Sequence, residues 1–210
     1  MSLFLLVDSS LANDWRLERD EGAVQVYSRA VEGSSIRAVR GVTWIDSSLI
    51  RIVNLLWDPT VRPTWDKYCG ETYTLESRSA REKFVYVHTE LPWPVRDRDM
   101  VNSVTWEQAP DTLVVTMRAV ATKGFLPRKK DRVRVVQSWS TWTLTPLSGG
   151  GVAVEFSAHI DPAGPLPSWL INTLSVESPY DILKRLRGPL ANHQIQRDLI
   201  GVITEIHGNG

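Results

Sequence analysis

Few residues in this chain are of types that do chemistry, and their spacing limits what that chemistry is. Arg62 and Asp66 stand four apart in RPTWD. On a helix such a pair are neighbours, and an exposed ion pair of this kind is worth about 0–1 kcal/mol. Tyr86 and His88 stand two apart in VYVHTE, hence on one face of a strand. With Arg62 and Asp66 they are the side chains from which acid–base catalysis would have to be built. His88 and His159 both fall mid-strand in apolar surroundings, and no H-x-x-x-H or H-E-x-x-H spacing accompanies them. Structural histidines are therefore expected rather than metal ligands. The single cysteine, Cys69, excludes an internal disulfide and a cysteine metal cluster. The densest basic run, RKKDRVR at 128–134, is expected to be a solvated hairpin tip rather than a patch for anionic lipid. No catalytic residue, metal or cofactor is assigned.

Composition narrows the class further. A chain of 210 residues, 42% hydrophobic and 23% charged, is the size and make-up of one ordinary domain with a sizeable core. Lys plus Arg equals Asp plus Glu at 24 each, so no overall field draws it to nucleic acid or to an anionic surface. Nine tryptophans call for broad apolar surfaces. No apolar run reaches the roughly 18–20 residues of a membrane span. The start, MSLFLLVDSSLAN, lacks the basic flank of a signal peptide. Residues 1–14 are read as an N-terminal tail or processed segment. The location stays open between the cytoplasm and, if a leader was removed, the periplasm.

The elements that must position these residues show in the periodicity. WRLERDEG, VQVYSRAV and IRAVRGVTWI alternate as strands, with turns at 21–22 and 32–35. From Ser47 to Trp57 the apolar residues recur at three- and four-residue steps, which predicts a helix ended by Pro59. A second short helix is expected over RPTWDKY. Six further strand patterns follow: ETYTLES, REKFVYVHTE, RDMVNSVTWEQ, TLVVTMRAVA, VRVVQSWSTWTLTPL and GVAVEFSAHID. The last places Val152, Val154, Phe156, Ala158 and Ile160 on one face. Three prolines and a glycine within Pro162–Pro167 then stop the sheet, and a stripe at helical spacing, Trp169, Leu170, Thr173, Leu174, Tyr180, Leu183, Leu186 and Leu190, begins. Pro179 is expected to kink it. The fold class is α+β: a curved antiparallel sheet of about nine strands, two short helices after the third strand, and a long C-terminal lid helix covering the apolar face. The domain is expected over 15–190, with a helical extension over 191–210.

This order resembles the helix-grip fold of the START (steroidogenic-acute-regulatory-protein-related lipid-transfer) domain family, in a single-domain, bacterial-type form. The resemblance is carried by WRLERDEGAVQVYSR at 15–29, RPTWD at 62–66, VYVHTELPWPVRDRDMV at 85–101, WTLTPL at 142–147 and DPAGPLPSWLIN at 161–172, in order, over 15 to about 188. It implies a tunnel between sheet and lid that holds one lipid or sterol-like molecule, for carriage, sensing or transfer between membranes. The protein is then no enzyme, and its partners are a hydrophobic small molecule and a membrane touched transiently. It acts as a monomer and takes no nucleic acid. An acyl chain of about 16 methylenes gains roughly 0.8 kcal/mol per group on burial, or about 13 kcal/mol. The alternative is a polyketide cyclase or aromatase using the same cavity.

The resemblance also implies site residues. Arg62 would turn inward to meet a phosphate or other oxygen-rich head group, with Asp66 holding it. Val87, His88, Met100, Asn102, Leu170, Thr173 and Leu174 are the further ligand-binding candidates. Phosphatidylcholine-binding members carry aromatics at the positions of Val87 and Met100, and the aliphatic residues here argue against a choline cage. Asn102 interrupts MVNSV and offers a hydrogen bond inside the tunnel or at the strand edge. Trp93, fixed between prolines in LPWPVRD, and Trp169 are the candidates for gate and membrane contact. Asp99 is expected to tie down the loop it follows.

Overall fold

The computed structural model describes residues 15–196 and 199–206. The N-terminal tail expected over 1–14 lies outside the described residues. Ten strands form: β1 (Arg16–Glu21), β2 (Val24–Val31), β3 (Ser34–Ile45), β4 (Cys69–Ser79), β5 (Glu82–Thr89), β6 (Arg98–Gln108), β7 (Val115–Ala121), β8 (Val133–Arg134), β9 (Gln137–Pro146) and β10 (Val152–Asp161). Nine of them make one antiparallel sheet in the order β1-β2-β3-β10-β9-β7-β6-β5-β4. The two-residue β8 pairs parallel with the start of β6, Arg98 opposite Val133. The single strand expected over 133–147 is thus broken at 135–136. Arg134 causes the break by turning to Asp99, which it meets at 2.7 and 2.9 Å.

Between β3 and β4 lie α1 (Leu49–Trp57) and a 3-10 turn (Pro59–Thr64). The short helix expected over RPTWDKY therefore falls three residues early. Asp58 nucleates it there, since its side chain accepts from the Thr60 amide at 2.9 Å and Pro59 suits the first helical position. The Asp66 amide still donates to the Arg62 carbonyl at 2.9 Å, so the two residues stay neighbours. Helix α1 buries Leu49, Ile52, Val53, Leu55 and Trp57 in the main core, against the inner face of the sheet and the end of the lid.

The lid runs from Ser168 to Leu190 in pieces: α2 (Ser168–Asn172), a π turn (Thr173–Glu177), α3 (Ser178–Arg185) and α4 (Arg187–Leu190). Pro179 has no N–H to donate to the Ser175 carbonyl, and the helix widens immediately before it, with the Ser178 amide bonding back to Thr173. Beyond the lid, residues 191–196 and 199–206 take an irregular course with no α-helix. Tertiary bonds replace the helical ladder there. Asn54 bonds the Gln194 carbonyl and the Gln196 amide, and Gln108 bonds both backbone groups of Thr204. Leu199 and Ile203 enter the core, and the Glu205 carboxylate accepts from the Leu49 and Ile50 amides at 3.1 and 2.7 Å. It caps α1 from 155 residues away. No described helix is long and apolar enough to cross a membrane.

Candidate functional site

A cavity of about 190 Å³ lies between the sheet and the lid. That exceeds tenfold the roughly 10–15 Å³ that admits one water. Its floor comes from strand positions that alternate toward the lid: Met100 and Asn102 of β6, Ser140 and Trp142 of β9, and Phe156 and Ala158 of β10. Its roof is Ile171, Leu174, Ser175, Ser178, Pro179 and Ile182 of the lid. Trp65 and Trp142 meet edge to face at 6.2 Å and 87°, and Phe156 lies 4.5 Å from Trp142. These three rings give a stiff apolar wall.

Arg62 and Asp66 line the same cavity. Nε and Nη2 of Arg62 each donate to Asp66 Oδ2 at 3.0 Å, while Oδ1 accepts from the Tyr68 amide at 3.2 Å. A third of the Arg62 side chain is accessible against 8% of Asp66, although protein surrounds the guanidinium. That accessible surface opens onto the cavity. Burial pulls the guanidinium toward its neutral form, but the Asp66 charge, with smaller contributions from Cys69 and the hydrogen bond, outweighs it, so Arg62 stays cationic. Burial pushes the neighbouring Cys69 thiol up to about 11.

Two more arginines reach the lining. Arg37 is held by Ser28. Arg98, 5% exposed, donates to the carbonyls of Pro162, Ala163 and Arg96 and forms no ion pair among the described residues. Two buried polar atoms of the lining, Trp65 Nε1 and Asn102 Oδ1, find no hydrogen-bond partner among the described residues. No cluster of three or more His, Cys, Asp or Glu stands close enough among the described residues to hold a metal ion.

The START domain profile matches residues 2–194. The chain belongs to the START domain family. A solved StAR-related lipid transfer protein from Xanthomonas axonopodis is similar with a TM-score of 0.79 and 34% identity, covering 86% of this chain and 100% of that one. An uncharacterized protein of Pseudomonas aeruginosa is 35% identical over 89% of this chain and 91% of its own length. The mouse phosphatidylcholine transfer protein is 24% identical over 81% of each. The curved sheet with its C-terminal helical cover is the helix-grip arrangement of this START domain.

The residues expected to touch ligand divide on this geometry. Arg62, Asp66, Met100, Asn102 and Leu174 line the cavity. Val87 is on the cavity side of β5, opposite Met100, but is covered in a cluster with Cys69 and Val135. His88 does not face the cavity. It shares the other face of β5 with Tyr86, and its Nε2 meets Asp97 at 2.8 Å. Tyr86 on that face bonds Asp99 at 3.2 Å and Arg132 at 2.7 Å. The segment carrying Phe125 and Leu126 covers it, so the sheet is apolar on both sides here. Asp99 does not tie down the loop it follows: it pairs with Arg134, which in turn holds the Leu126 and Pro127 carbonyls. The preceding loop is held by Asp97, which accepts from the Leu91 amide at 2.9 Å.

Leu170 is buried beside the cavity rather than in its lining, and the Thr173 hydroxyl turns back to the Trp169 carbonyl at 3.0 Å. The lid stripe that lines the cavity is Ile171, Leu174, Ser175, Ser178 and Ile182, one position on from Leu170 and Thr173, so the helix presents the neighbouring face. Trp93 is 92% exposed and Trp169 54%. Leu91, two residues from Trp93, lines the cavity, so the loop borders its mouth. Sequence reasoning missed Trp65, Trp142, Arg37 and Arg98. Trp65, Arg98 and Trp142 sit inside the RPTWD, VYVHTELPWPVRDRDMV and WTLTPL motifs, which were usable signals; Arg37 carried none.

Proposed function

We propose that this START domain carries one lipid with an anionic head group, the head at Arg62 and the apolar part along Trp65, Trp142 and Phe156. The observation that carries this is the charge of the lining. Three arginines, Arg37, Arg62 and Arg98, face one carboxylate, Asp66, in a chain whose charges otherwise balance. Inside a wall of low polarizability that excess attracts an anion far more strongly than it would on the surface. The same excess, with aliphatic Val87 and Met100, disfavours a quaternary ammonium. The StAR-related neighbour is named for lipid transfer, which supports the same reading. Exposed Trp93 and Trp169 suit brief contact with a membrane, where aromatic side chains favour the interface.

A cyclase would need acid–base groups converging on the cavity. Arg62 and Asp66 are there, but Tyr86 and His88 are engaged on the far side of the sheet. The carrier is accordingly read as non-enzymatic. Native mass spectrometry of the purified protein, followed by transfer between vesicles of phosphatidylglycerol and of phosphatidylcholine, tests the proposal. An anionic lipid should be retained and moved, and Arg62→Ala should cut binding about tenfold or more, as loss of a charged hydrogen bond does. Indifference to head-group charge, or no bound lipid, would reject it.

A further inference from the structure

We infer that the ligand carries, besides its anionic group, a hydroxyl or amide N–H that pairs with Asn102, so that this residue selects among lipids of like charge. The inference rests on the carrier reading and sharpens it. Asn102 sits mid-strand in β6, opposite Val85 on one side and Ala121 on the other. It is only 7% exposed, lines the cavity, and shares its face with Met100 and Val104. Asparagine is a poor strand former, and an aliphatic residue of the same size would suit this floor better. Its Oδ1 is buried without a partner among the described residues. A buried carbonyl left unpaired lowers an equilibrium constant by a factor of roughly 5–150.

The charged groups of the wall are accounted for. Arg98 is held by three carbonyls, Arg37 by Ser28, and Arg62 and Asp66 by each other. Asn102 Oδ1 and the Trp65 N–H are the buried polar atoms of the lining left without a partner among the described residues. The tryptophan needs an acceptor, which any phosphate or carboxylate oxygen supplies. Asn102 Oδ1 needs a donor, and a plain ester offers none. The terminal amide torsion is soft and roughly two-fold, so a half-turn exchanges the amide's two ends and presents Oδ1 to a guest.

The test is competition, followed by native mass spectrometry, among three probes with palmitoyl chains: phosphatidic acid, ceramide 1-phosphate and phosphatidylglycerol. Phosphatidic acid and ceramide 1-phosphate share a phosphomonoester but differ in ester against amide and hydroxyl. Phosphatidylglycerol places its hydroxyls in the head group. One or both donor-bearing lipids should outcompete phosphatidic acid about tenfold, and the winner locates the donor in the linkage or in the head. Asn102→Leu should reduce that preference to within about twofold while phosphatidic acid still binds. Asn102→Ser, which keeps a small hydroxyl, should fall between, and guards against a Leu variant that fails to fold. Equal binding of all three to the native protein, or a preference that survives in the Leu variant, would overturn the inference and leave the carrier reading standing. Binding of none would overturn both.

Discussion

Breaking the Arg62–Asp66 pair from one side should cost more stability than removing it whole. Asp66→Asn keeps the shape but leaves a cation facing the cavity with no counter-charge. Removing one partner of a fully buried pair costs about 3–5 kcal/mol. A third of the Arg62 side chain is open, so about 2 kcal/mol is the better figure after discounting for that exposure. For a chain of this size each kcal/mol moves Tm by about 2–4 °C, giving a drop of about 4–8 °C. Arg62→Met alone leaves the Asp66 carboxylate with just the Tyr68 amide and should cost about as much. The double variant has neither charge, and buried pairs replaced whole are near neutral, so it should lie within about 1 kcal/mol of the native chain. The coupling read from urea unfolding of the four proteins should therefore reach about 3–5 kcal/mol. Binding should part company with stability. Asp66→Asn keeps the cation and some affinity for phosphatidylglycerol, whereas the double variant regains stability without regaining binding. Additive single effects, or an Asp66→Asn protein within about 0.5 kcal/mol of native, would refute the reasoning.

Three further outcomes follow from packing and protonation. Cys69 is buried and its thiol is pushed up to about 11, so a disulfide reagent at pH 8 should leave it unmodified in the native protein and react at once in denaturant. Burial raises the Asp99 carboxyl, but Arg134 and the Tyr86 hydroxyl more than offset it and its pKa is lowered. A carboxyl lowered on folding stabilises fully above its unfolded value of about 3.9, and that contribution is lost as pH falls toward the folded value. Acid unfolding below about pH 4 should thus be blunted in Asp99→Asn, whose stability at neutral pH is already reduced; an unchanged acid limb would count against the assignment. A Cβ on Gly41 would stand 2.5 Å from Leu183 Cδ1, which is fully buried. Gly41→Val should cost about 1–3 kcal/mol and loosen α3, seen as faster proteolysis of the lid.

Much of the fold was legible because local periodicity decides it. The alternation of 152–160 put Val152, Val154, Phe156 and Ala158 on one face, and Phe156 and Ala158 indeed line the cavity. The apolar steps of 49–57 gave α1, and the proline cluster at 162–167 gave the break before the lid. What local pattern cannot supply is which distant residues meet. Trp65 and Trp142 touch because β9 crosses the sheet opposite the 3-10 turn, and nothing in the surroundings of either announces it. The lid misled for a subtler reason. A 3.6-residue period groups Leu170 and Thr173 with Leu174, but the face that meets the cavity is Ile171, Leu174, Ser175 and Ser178, one position round. The pattern alone does not say which side of a broad stripe covers the void. The stretch after the lid looks amphipathic, yet at Gln194, Gln196 and Thr204 its backbone is satisfied by the Asn54 and Gln108 side chains rather than by a helical ladder, so helical spacing was the wrong template.

The widened turn ahead of Pro179 divides the lid by how firmly it is held. After it, Tyr180, Ile182, Leu183, Leu186 and Leu190 are all buried in the main core with α1 and the sheet. Before it, Leu170 alone is fully buried, Trp169 points outward, and Ile171 and Leu174 rest on the cavity rather than on packed side chains. A helix packed on a void lacks the dispersion contacts that fix its other half. The first half is tied instead at its root, where Arg98 reaches from the cavity wall to the Pro162 and Ala163 carbonyls. Ala163 and Gly164 both have positive φ at that point, +55° and +81°, so the chain turns tightly under a cation that also faces the guest. On the proposed reading of an anionic lipid in the cavity, occupancy and the set of the lid would be coupled through Arg98. An anion near Arg98 competes for the same donors that hold the root, while an apolar chain beneath Ile171 and Leu174 supplies the contacts the empty roof lacks. The two effects act on opposite ends of α2, and that is the arrangement expected of a cover that must both admit a lipid and close over it.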